Sequence, residues 1–147
     1  MGKFSDLLFY PEKPLQAQAR ADEKLPSMLS NSNLNLWRLG DRLKIKGTRY
    51  VLGIAVWSLY DLRLLDALDE ALSQTESNER VDVFSIDSCQ SHEEIRGYVP
   101  NLEKILHPPV VGVWQDGKQI KQASGYAGRK ILVDAFSLDH EELIKLS

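Results

Sequence analysis

The stretch Tyr50-Val-Leu-Gly-Ile-Ala-Val-Trp57-Ser58-Leu-Tyr-Asp61 decides how the rest of the chain is read. Tyr50 to Trp57 is continuous, apolar and partly β-branched, the pattern of a central strand buried on both faces. Ser58 then stands at a helix N-cap position, and Asp61 follows three residues on, the spacing of a capping box. Leu62, Leu65, Leu68 and Leu72 recur at helical spacing, so the strand runs into a helix that reaches about Thr75.

Outward from this unit, Glu76–Glu79 is a polar loop and Val81-Asp-Val-Phe-Ser-Ile86 alternates as a second strand. Two strands joined by a helical crossover are parallel and right-handed. After a turn at Asp87–Gln90, Ser91 caps a helical segment with Glu93 and Glu94 in its first turn, where the helix dipole favours them. That segment reaches about Leu106, interrupted by Gly97 and Pro100. His107-Pro108-Pro109 leads into a strand over Val110–Trp114. Asp116-Gly117 is a two-residue hairpin signal, and Lys118–Ala123 returns as an antiparallel strand. Gly125 breaks the run, Gly128–Phe136 forms a helix with Ile131, Leu132 and Ala135 on one face, and Ser137 caps a last helix carrying Leu143 and Leu146. The order predicts a mixed sheet with helices on its faces.

Residues 1–30 hold three prolines and few apolar residues after Tyr10, and read as an N-terminal arm with a short helix over Leu15–Lys24. Residues 31–147 read as the domain. Within 31–47, Leu36, Leu39 and Leu43 have helical spacing while Leu43-Lys44-Ile45 alternates like a strand, so periodicity does not choose between them.

The chain of 147 residues is the size of one compact domain. Its 18 basic and 21 acidic residues leave a net charge of −3, which gives nucleic-acid binding no electrostatic support. The lone Cys89 excludes an internal disulfide and any CxxC pair, and fits a reducing cytoplasm. The first residues lack the apolar core of a secretory signal. The longest apolar run, Val51–Trp57, is too short to span a bilayer, so no membrane insertion is expected. No His, Cys or carboxylate groups have zinc-ligand spacing, and no glycine-rich phosphate loop is present. Neither metal nor cofactor is expected.

In order and spacing, the segments from about Tyr50 to Phe136 resemble a thioredoxin-like protein. Val51–Trp57 resembles the central strand that runs into the active-site tryptophan. Ser58-Leu-Tyr-Asp61 occupies the place of Cys-Gly-Pro-Cys. Pro109-Val-Val-Gly-Val-Trp-Gln-Asp-Gly117 resembles the cis-proline, strand and hairpin segment, and Gly125 follows Gly117 by the family's spacing. The resemblance implies an α/β fold, a three-layer α/β/α sandwich with a mixed sheet, a C-terminal β-hairpin and, here, an N-terminal extension. The departures point to a redox-inactive member lacking CxxC. Ser58 and Asp61 replace both cysteines, and a hydroxyl cannot exchange a disulfide. Leu52 stands where many thioredoxins carry a buried aspartate. The segment from Asp87 to Pro109 is longer than in ordinary thioredoxins.

The two parallel strands deliver Trp57, Ser58, Tyr60, Asp61 and Cys89 to the carboxyl edge of the sheet, the usual ligand site of open α/β folds. His107 and Pro109 belong to the same edge. Ser58 reads as a helix cap and Asp61 as a first-turn carboxylate. Trp57, Leu59 and Tyr60 read as an apolar rim, with Leu59 and Tyr60 exposed on the first turn of the helix and core packing the competing reading for Trp57. If the Pro108–Pro109 bond is cis, the resemblance implies backbone groups offered to an extended peptide. Trp57, Ser58, Leu59, Tyr60, Asp61, His107, Pro108 and Pro109 are therefore the candidate residues for binding a protein or peptide partner. An alternative makes Cys89 the single thiol of a thiol-regulated or glutathione-linked oxidoreductase-like protein. A third reading, a hydrolase built on Ser58, Asp61 and His107, lacks a Gly-x-Ser-x-Gly elbow. Trp114 is expected in the core, Trp37 is a candidate anchor for the arm, and His92 and His140 are expected in solvent.

Overall fold

The computed structural model describes residues 4, 23–37, 47–56, 58–74, 79–86, 89–102 and 107–138. At its centre is the apolar strand β2, Thr48–Ile54, buried along nearly its whole length. Strand β1 is Asn35–Leu36, β3 is Arg80–Ser85, β4 is Val110–Gln115 and β5 is Lys118–Ser124. They form one sheet in the order β1-β3-β2-β4-β5. β2 runs parallel to β3 and antiparallel to β4, with Ile54 opposite Ser85 and Gly53 opposite Val110. Asp116 and Gly117 take positive φ, 52° and 84°, and close the β4–β5 hairpin; glycine adopts such angles at no steric cost.

Side-chain alternation along β2 divides the core in two. Tyr50, Leu52 and Ile54 face a cluster built with Leu62, Leu64, Leu65 and Leu68 of helix α2, Leu59–Ser73, and with Leu132 and Val133 of helix α4, Tyr126–Phe136. Val51 faces the opposite cluster, with Trp37, Phe84, Val110, Trp114 and Ile95 of helix α3, His92–Tyr98. Helices thus lie on both faces of a mixed sheet, the three-layer arrangement that the resemblance implied. Trp114 is buried in this second cluster, as expected.

On this second face Asp82 is fully buried between Arg49, whose Nε bonds its Oδ2, and Arg80, whose Nε reaches Oδ1 at 2.9 Å. Arg49 also lies over the Trp37 ring, 4.5 Å from its centroid. Trp37 is held in the domain by that contact and by its backbone N–H, which donates to Val83 O at 2.8 Å.

The N-terminal segment contributes more than a tether. A helical stretch through residues 23–30, α1, places Leu25 and Leu29 in the first cluster. Phe4 is fully buried there, and its N–H donates to Asp66 Oδ1 at 2.6 Å. The leucines that anchor α1 sit in a polar sequence, so periodicity there was weak. The helix expected over Leu15–Lys24 lies mostly outside the described residues, as do the end of the Ser91–Leu106 segment, the last helix with Leu143 and Leu146, and His140. The strand expected to run to Trp57 ends at Ile54, and α2 begins at Leu59, where the Ser58 cap was read.

Gly53 permits the close meeting of β2, β3 and β4. A Cβ there would press on the Phe84 ring and lie 2.5 Å from Val110 Cγ2. Gly53→Ala is expected to lower stability by roughly 1–3 kcal/mol through overpacking, measured by urea denaturation. Tyr50 is buried, with its ring tilted against Phe136 at 5.1 Å between centroids. Burial, and then the charge of Glu79, raise its phenol above the ordinary value of 10.0. The fold therefore favours the neutral phenol. That contribution is intact below the unfolded-state value and is lost as pH rises through the folded one, because the unfolded chain ionises first. Across about pH 9 to 11, Tyr50→Phe is expected to lose stability less steeply than the unaltered chain in denaturant titrations.

Candidate functional site

The register settles which groups share an edge. Ser58 follows Ile54 by the same interval as Cys89 follows Ser85, and those two strand residues are opposite one another. Pro109 immediately precedes Val110, which is opposite Gly53. Ser58, Leu59, Tyr60, Asp61, Cys89, His107, Pro108 and Pro109 therefore lie at the carboxyl edge of the parallel pair. Trp57 lies outside the described residues.

Ser58 is the N-cap of α2. Its backbone is extended, and its Oγ accepts from Asp61 N–H at 3.4 Å. Its own N–H donates to Ala55 O at 3.0 Å, closing the turn between β2 and α2. Asp61 departs from the capping box read in the sequence. In a capping box the third helical residue reaches back to the cap's N–H. Here Asp61 is 1% exposed, and its Oδ2 accepts from Ala55 N–H at 2.9 Å. The carboxylate bridges the helix start to the strand end. The reason lies in the turn: the Ser58 N–H is already used, while the Ala55 N–H has left the β-ladder and needs an acceptor.

Leu59 and Tyr60 are half-buried rather than exposed. For Tyr60 the cause is α4: the Arg129 guanidinium lies over its ring, 5.9 Å from the centroid. Cys89 is half-buried against the α3-side cluster, and its Sγ lies 3.9 Å from Ser85 O. His107 is exposed, Pro108 half-buried and Pro109 buried. His92 is exposed.

The Pro108–Pro109 peptide is cis. Neither proline has an N–H to offer, and the Pro109 carbonyl accepts from Gly125 N–H at 2.8 Å. The resemblance implies that this dipeptide presents backbone groups to an extended peptide. In the structure its one carbonyl with no partner among the described residues is that of Pro108, so it can supply an acceptor and no donor. Gly125 sits at φ 66° at the N-cap of α4, where no side chain caps the helix.

Among the described residues, no group of three or more His, Cys, Asp or Glu side chains could hold a metal ion. No helix among them is long and apolar enough to cross a membrane.

No family model matches the chain, and no curated protein matches it either. Among solved structures, the zinc-bound form of human ERp44 is 16% identical, with a TM-score of 0.49, over 72% of this chain and 30% of that one. Form II of ERdj5 is 17% identical, with a TM-score of 0.47, over 93% of this chain and 19% of that one. The chain thus spans less than a third of the length of either protein. The fold rests on the strand order and register given above.

Residue 58 opens a helical turn and residue 61 is buried one turn later. In a Cys89→Ser background, Ser58→Cys with Asp61→Cys is expected to close an internal disulfide under mild oxidation, measured by mass spectrometry after alkylation. Both thiols remaining open to alkylation would show that the turn geometry is not that of a dithiol pair. Losing the bond to Ala55 N–H, which becomes an unsatisfied buried donor, is expected to cost this variant about 1–3 kcal/mol.

Proposed function

We propose that this chain is a non-catalytic thioredoxin-like module that binds a protein or peptide partner at the former active-site edge, with an assembly, maturation or regulatory role. One observation carries the reading: the side chains at both redox positions serve the backbone. The Ser58 hydroxyl accepts from Asp61 N–H, and the Asp61 carboxylate accepts from Ala55 N–H. A capped serine without an adjacent base is a weak nucleophile, and no hydrogen bond among the described residues links Ser58 to His107. What the edge retains is shape: half-buried Leu59 and Tyr60 beside Pro108 and exposed His107. Partly apolar patches with an aromatic residue are the usual anchors of protein interfaces.

The proposed partner surface comprises Trp57, Ser58, Leu59, Tyr60, His107 and Pro108; Asp61 and Pro109, expected there from the sequence, are buried and shape it from beneath. Cys89 packs toward the α3-side cluster, which supports a structural role over a thiol-regulated one. A single thiol suits a reducing compartment, and the cytoplasm is the proposed location.

The test is capture of the partner from the native cell with the unaltered chain, with Leu59→Asp and with Tyr60→Asp. Both substitutions are expected to abolish capture while circular-dichroism melts remain cooperative. A partner retained by both folded variants would remove this edge from the interaction.

A further inference from the structure

We propose that Arg129 anchors a carboxylate of the bound peptide partner, an inference that rests on the peptide-binding reading of the same edge. Arg129 lies in the first turn of α4 and is 7% exposed. Its Nε is buried with no hydrogen-bond partner. The ion pairs among the described residues are Arg49–Asp82, Arg80–Asp82 and Lys130–Asp134, and none involves Arg129. Among the described residues, its guanidinium has the Tyr60 ring beside it and no ion-paired carboxylate. A guanidinium held this far from water with its Nε–H unanswered is costly, and one cation–π contact offsets only part of that cost.

The surroundings deepen this deficit of negative charge. The positive end of α4 points to the same place, with glycine at its cap, no capping side chain and no acidic residue in its first turn. Asp61, the acidic residue in the first turn of α2, gives its Oδ2 to Ala55 N–H.

The placement is that of the proposed partner surface. Gly125 N–H bonds Pro109 O. Gly128 lets the first turn of α4 close on the sheet, since a Cβ there would lie 3.2 Å from Pro109 O. The start of α4 is thus beside Pro109, and Arg129, in its first turn, is in contact with Tyr60. One guanidinium and one helix end match a monoanion, and arginine pairs carboxylates through two parallel hydrogen bonds. The half-buried Leu59 and Tyr60 would flank the apolar part of the same ligand. Because Pro108–Pro109 offers an acceptor and no donor, the Arg129 fork supplies what the backbone there lacks.

The test follows the Arg129 Nε–Hε resonance and the Leu59 and Tyr60 amides of the full ¹⁵N-labelled chain by NMR. The probes are the capped peptide Ala-Leu-Asp-Leu-Ala, its Asn analogue, and that analogue with a free C-terminal carboxylate. At least one carboxylate peptide is expected to shift the Arg129 resonance saturably and to bind about tenfold or more tighter than the capped Asn peptide. The two carboxylate peptides distinguish an acidic side chain from a chain end. Arg129→Gln is expected to erase that advantage and Arg129→Lys to keep part of it. Equal binding of all three peptides at Leu59 and Tyr60 would overturn the role of Arg129 and leave the peptide-binding edge standing. No perturbation by any of them would overturn both. A second measurement needs no ligand: Arg129→Met is expected to raise the thermal midpoint by relieving an unpaired buried charge. A marked fall would show that Arg129 serves the fold, and would overturn the proposal.

Discussion

The Asp61 carboxylate, held under Ala55 N–H, is the interaction on which the edge depends. It fixes how the chain leaves β2 and enters α2. A buried backbone donor left without an acceptor costs about 1–3 kcal/mol, so the turn needs an oxygen at this place. Ser58 is held in the same way one turn earlier, so the side chains of both residues stiffen the start of the helix.

Much of the architecture was legible because its signals are periodic or local. The apolar run from Tyr50, the leucine stripe from Leu62, the alternation from Val81 and the Asp116-Gly117 turn each have one physical reading, and each appears where expected within a few residues. The failures have causes too. β1 is only Asn35–Leu36, too short for any period to register. α1 was overlooked because Leu25 and Leu29 sit among polar residues and near Pro26, and their burial is dictated by the sheet they pack on.

At the site, the sequence identified the cap at Ser58 and the edge shared with Pro109. It did not show that Asp61 is buried or that Tyr60 is half-covered, since both depend on α4 and on the geometry of the Ala55 turn. Arg129 was missed altogether. An arginine in a helix with exposed neighbours such as Lys130 reads as surface, and only its burial by the closely packed Gly128 turn makes it unusual.

At the opposite end of the sheet from that edge, Arg49 and Asp82 face each other in a water-poor pocket, 33 positions apart along the chain. Asp82 answers Arg80 as well, so losing Arg49 leaves the carboxylate one partner, whereas losing the carboxylate takes a counter-ion from two cations at once. Descendants of this sequence are therefore freer to change at Arg49 than at Asp82. The three sites are unequally tied in inheritance, with the acid as the member the other two depend on.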